Sequence, residues 1–167
     1  MLQDFTADPV ILSLFRYWEA QRGTRAMPER RDIDPIGMGS AVLPNVVLVE
    51  FVGDRVRYRL VGTELVRRFG RDFTGQYMDE LMAGSYLAFI DDLFRKMREH
   101  RAPVFSESPY RWDVAGHRLT RRIFLPLGDT EARMSLIGQT FGEGYPSTDE
   151  LKVLILTEPV VARRWVR

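Results

Sequence analysis

The sequence predicts an α+β fold, an antiparallel sheet with helices laid against one face, and three observations point to it. Apolar residues recur at helical spacing near the N-terminus, gather in two short β-branched runs of which the second alternates, return to helical spacing through the middle, and form strand-like runs again in three later stretches. The two early runs are separated only by Gly53-Asp54, turn chemistry that joins antiparallel neighbours. The chain has 167 residues, 45% of them hydrophobic, which suits one domain with its own core and would be cramped for two.

The first helix starts at Asp8-Pro9, an N-cap acid followed by proline at the first helical position. Ile11, Leu14, Phe15 and Trp18 then form one apolar stripe at i, i+3, i+4 and i+7, and Gly23 is a fitting stop. The connector TRAMPERRDIDPIGMG is irregular, with Met27, Ile33 and Ile36 available to dock it and Asp32 and Asp34 to tie it to Arg30 or Arg31. From Asn45 the pattern changes to β-branched runs. NVVLVEFV and RVRYRLV read as a hairpin, the second strand placing Val56, Tyr58 and Leu60 on a buried face and Arg55, Arg57 and Arg59 on a solvated one.

Short helices follow over Thr63 to Phe69, capped by Thr63 and stopped at Gly70, and over Tyr77 to Met82. Leu65, Val66 and Phe69 would face inward, with Arg67, Arg68 and Arg71 in water. A longer helix runs from about Ser85 to His100, with Tyr86, Phe89, Ile90, Leu93 and Met97 as its stripe. PVFSESPYRWDV, RLTRRIFLPL and ARMSLIGQTF are the later strands, Pro109 suggesting an edge or bulge in the first. The organisation expected is a helix and connector over 1–44, a core over 45–142 and a tail over 143–167.

Composition sets outer bounds on function. The formal net charge of +1 gives no global field for holding nucleic acid. The absence of cysteine excludes disulfides, thiolate catalysis and cysteine-adduct flavin photochemistry, and suits a reducing compartment. There is no signal peptide pattern and no apolar run near the ~20 residues of a membrane span. The expectation is a cytoplasmic protein with no membrane and no nucleic acid among its partners.

YRLVGTELVRRFGRDFTGQYMDEL, together with the amino-terminal LFRYWEAQRGTRAMPERRDIDP, resembles the PAS domain, in particular a bacterial single-domain subfamily, over about Asp8 to Phe141. The resemblance implies a five-stranded antiparallel sheet in the order 2-1-5-4-3, helices across one face, and an extra amino-terminal helix. It implies a non-enzymatic sensory or regulatory module that holds a small ligand, or only side chains, between sheet and long helix. No kinase, cyclase or DNA-binding segment is visible, so signalling is expected to pass through self-association or another signalling protein. The stripe of Ile11, Leu14, Phe15 and Trp18 is the candidate surface of a homodimer, and docking onto the domain's own sheet is its alternative.

Candidate pocket residues are Tyr58, Leu60, Leu65, Phe69, Ile90, Leu93, Met97, Arg121 and Ile123. Alternation places Leu119, Arg121, Ile123 and Leu125 on one face of their strand; if that face looks into the cavity, Arg121 looks in with it. There it meets a carboxylate such as Glu107 or Asp113, the favoured reading, or a small organic anion. A bulge would turn Arg122 inward instead. Haem is disfavoured, because His100 ends the long helix, where it complements the helix dipole, and His117 lies in a turn. Tyr110 and Trp112 could neighbour a non-covalent flavin, but packing at a strand or dimer surface is the favoured reading of both. No metal-ligand spacing, phosphate loop or catalytic constellation stands out. A small-molecule enzyme using Arg121 with a carboxylate, and a nucleic-acid binder using Arg55, Arg57 and Arg59 or the ARRWVR tail, are the alternatives from other classes.

Overall fold

The structure, a computed structural model, describes residues 1–110, 118–142, 151–157 and 161–165. One antiparallel sheet of seven strands organises it: β1 (Val46–Val52), β2 (Arg55–Val61), β3 (Val104–Tyr110), β4 (Arg118–Gly128), β5 (Ala132–Phe141), β6 (Leu151–Ile155) and β7 (Val161–Trp165). The order is β2-β1-β5-β4-β3-β6-β7. The expected 2-1-5-4-3 arrangement is therefore present, and the tail widens the sheet beyond five strands. β6 pairs with Val104–Glu107 of β3, so this stretch is not an edge; Pro109 falls past the pairing, where its missing N–H costs no ladder bond.

Helices cover both faces. α1 (Pro9–Arg22) is capped by Asp8, whose Oδ1 accepts from the amides of Val10 at 3.0 Å and Ile11 at 3.1 Å. Its Ile11, Leu14 and Trp18 are buried, and Trp18 Nε1 donates to the Pro126 carbonyl at 2.9 Å. A Cβ on Gly138 would lie 2.8 Å from Leu14 Cδ2, so a side chain there would hold α1 away from β5. Three of the four residues expected at a dimer surface thus dock onto the chain's own sheet. Phe15 stacks beside Trp18 at 6.3 Å between centroids and is partly buried. The stripe is part of the core because a sheet this apolar exposes a second hydrophobic face that needs a cover.

The connector docks through Met27 and Ile33, whereas Ile36 is 86% exposed. Asp32 pairs with Arg25 at 2.9 Å rather than with its neighbouring arginines, and accepts from the Glu29 amide at 2.8 Å.

The opposite face carries α2 (Thr63–Phe69), α3 (Met78–Leu81) and α4 (Gly84–His100). Gly62, not Thr63, is the N-cap of α2, and no side chain caps that end. A Cβ at Gly62 would stand 2.2 Å from the Pro44 carbonyl oxygen, so glycine is needed for clearance there. α4 buries Ile90, Leu93, Phe94 and Met97. Phe94 joins it to the sheet edge-on, 5.5 Å from Phe51 and 5.0 Å from Phe124 between ring centroids.

Candidate ligand pocket

Between α2, α3 and α4 and the sheet lies a cavity of about 80 Å³. Val47, Phe124 and Ile137 form its floor, Leu65 and Phe69 one wall, and Ile90 and Phe94 the roof. Period-two alternation explains the floor: Val47, Phe124 and Ile137 each point to the α4 side of their strand, while Ile123 and Gly138 point to α1. Phe73 closes one end, packing edge-on against Tyr58 at 4.7 Å and Phe69 at 4.9 Å.

Four of the nine sequence-derived candidates line this cavity: Tyr58, Leu65, Phe69 and Ile90. Leu60 does not. β2 pairs Leu60 with Leu48 but Tyr58 with Val49, leaving Arg59 as an extra residue. That bulge reverses the phase of the strand, so Leu60 packs with Ile33, Val46 and Leu48 on the other face. Leu93 and Met97 are buried on α4 without lining the cavity. Met97 lies further along the helix, where Ser135 Oγ approaches its sulfur at 3.3 Å.

Arg121 and Ile123 are also outside. They share the face that α1 covers, and Arg121 is salt-bridged to Glu107 at 2.8 Å and lies 3.8 Å from Asp8. The internal ion pair with Glu107 is thus formed, and the reading of Arg121 as a cavity residue is corrected. Its neighbour Arg122 enters the pocket instead, through the ordinary phase of β4 and without a bulge near it. The error lay in taking the Leu/Ile side of β4 as the cavity side. Both sides are apolar around the arginines, and alternation separates two faces without saying which helix covers each.

Arg122 is 3% exposed, donates to Ser108 Oγ at 3.3 Å and to the Tyr86 hydroxyl, and has no carboxylate within ion-pair distance among the described residues. Tyr58 is also buried, and burial pushes its hydroxyl above the usual tyrosine range, with Tyr86 adding and Arg122 opposing. It stays a neutral donor at any ordinary pH. At the rim Arg68 pairs with Glu64 at 2.7 Å and lies over the Phe141 ring at 4.2 Å.

The other candidates fall as follows. His100 is exposed at the end of α4, away from the lining. His117, Trp112 and Asp113 lie outside the described residues, and Tyr110 contributes its β3 backbone. Arg55 is held by Asp79 at 2.7 Å, and Arg57 and Arg59 approach Glu50 at 3.7 and 3.5 Å. The arginine stripe is therefore interleaved with acids. Among the described residues there is no cluster suited to a metal ion, and no helix long and apolar enough to cross a membrane.

A family model described as PAS domain matches residues 7–140. No curated protein and no solved structure matches the chain.

Proposed function

The chain belongs to the PAS domain family, and from that premise we propose that it is a non-enzymatic sensory module whose pocket under α4 takes a small ligand and whose occupancy is passed on by protein contacts. The observation that carries the ligand reading is the cavity itself. A packed core leaves few voids larger than a water molecule, whereas about 80 Å³ has room for several waters or one compact molecule. Its walls are apolar with a few convergent polar groups, the usual make-up of a ligand site. Among the described lining residues there is no histidine, lysine, aspartate or glutamate, and so no ordinary general base. That composition speaks for binding over turnover.

The β2 arginines speak little for nucleic acid, because Glu50 and Asp79 already neutralise them locally. Burial of Ile11, Leu14 and Trp18 against the chain's own sheet favours a contact surface other than the α1 stripe. Native mass spectrometry of the freshly purified chain tests the ligand reading, alongside a variant with the cavity filled, Leu65→Phe. The expected result is a small-molecule adduct on the wild type that is lost in the variant. Bare protein mass for both, with no thermal stabilisation by a metabolite library, would discard it.

A further inference from the structure

The polar groups of the pocket have one electrostatic sign. Seventeen residues line it; two are arginines, Tyr58, Tyr86 and Gln139 supply neutral polar groups, and none is acidic. Arg68 is neutralised by Glu64. Arg122 has no such counter-ion among the described residues and offers a guanidinium with five N–H donors, of which two hydrogen bonds occupy part. A cation 3% exposed with no partner charge is costly to bury.

Its cross-strand neighbours are polar as well, although Ser106 stands outside the cavity lining. Arg122 stands opposite Ser106 on β3 and opposite Gln139 on β5. Ser106 Oγ is fully buried and makes no hydrogen bond among the described residues, an unusual state for a buried hydroxyl. The Tyr58 hydroxyl, at the same pocket, is held in its donor form by burial.

Resting on the reading of the pocket as a ligand site, we propose that its ligand class is a compact monocarboxylate. The carboxylate pairs with the Arg122 guanidinium, and a short apolar tail lies among Leu65, Ile90, Phe94 and Phe124. One uncompensated cation matches one negative charge; a dianion such as phosphate would leave its second charge in an apolar cavity. The planar fork of a guanidinium fits the two oxygens of a carboxylate. The cavity of about 80 Å³ limits the tail to a few carbons.

The test is calorimetric titration of the full chain with butyrate, and with butyramide as its neutral isostere. Hexanoate and benzoate serve as larger probes, and Arg122→Met removes the charge at similar length. Butyrate should bind about tenfold to a hundredfold more tightly than butyramide, as a charge-assisted contact requires. Arg122→Met should abolish that difference while its circular dichroism stays that of the wild type. Equal binding of acid and amide would overturn the anion assignment while leaving the pocket a ligand site. Failure of all three carboxylates to bind would overturn it too, and an adduct in the native mass spectrum would then still uphold the pocket. Should Arg122→Met not fold, the comparison of acid with amide on the wild type decides by itself.

Discussion

At Gly138 the strand β5 and the helix α1 meet so closely that one methyl group is too many. A Cβ there would be 2.8 Å from Leu14 Cδ2 and 3.3 Å from Ile123 Cγ2. Gly138→Ala should therefore destabilise by about 1–3 kcal/mol through overpacking, read as a lower midpoint in urea unfolding with unchanged slope. Arg101 is the reverse case. It ends α4 in the left-handed region at φ 48, the one such non-glycine among the described residues. A side chain in that conformation costs about 1–2 kcal/mol. Arg101→Gly forfeits an exposed bond to the Thr130 carbonyl and should stabilise the fold by up to about 1 kcal/mol, read as a higher unfolding midpoint; a lower midpoint would show that this bond outweighs the strain. Neither residue stands out in the sequence, since close approach and backbone sign are properties of the folded chain.

At the scale of the element, α1 and α2 behave differently. α1 has its own cap and stop, legible in Asp8-Pro9 and Gly23, but its stability comes from the sheet beneath it. Burying Ile11, Leu14 and Trp18 contributes about 1.5–3 kcal/mol each, comparable in sum with the net stability of a small domain. A chain starting at Asp32 should therefore lose its near-ultraviolet dichroism and aggregate, whereas a dimerisation helix would leave a folded monomer. α2 is held at its outer surface by Glu64, which pairs with Arg67 and Arg68. The Arg67 hydrogen bond chiefly, with Arg68 added and partial desolvation opposing, lowers the Glu64 carboxyl from an ordinary 4.5 to about 2. A carboxylate lowered on folding contributes stability that is complete above its unfolded value and lost as pH falls through its folded one. Unfolding midpoints followed from pH 6 downward should thus drop between about 4.5 and about 2, and Glu64→Gln should flatten the curve in that window. An unchanged curve in the variant would remove Glu64 from the acid response.

For the whole molecule, the tail strands finish the sheet. β6 covers the β3 edge along Val104–Glu107, where Val104 and Phe105 are fully buried and Lys152 reaches Glu107 at 3.2 Å. Ending the chain at Gly142 would uncover an apolar edge, a template for intermolecular pairing; light scattering should report aggregation, and a monodisperse product would show that β6 is dispensable. The sequence by itself determined the order of helices and strands from α1 to β5, the Gly53-Asp54 hairpin and the α+β class, because caps, turns and periodicity act within a few residues, whereas β6 and β7 in the tail emerged only in the folded sheet. The tertiary structure alone decided that α1 belongs to the core, that the bulge at Arg59 turns Leu60 away, and that Arg122 rather than Arg121 enters the pocket. Alternation along a strand sorts residues into two sets, and with apolar cover on both sides only the packed helices say which set meets the cavity.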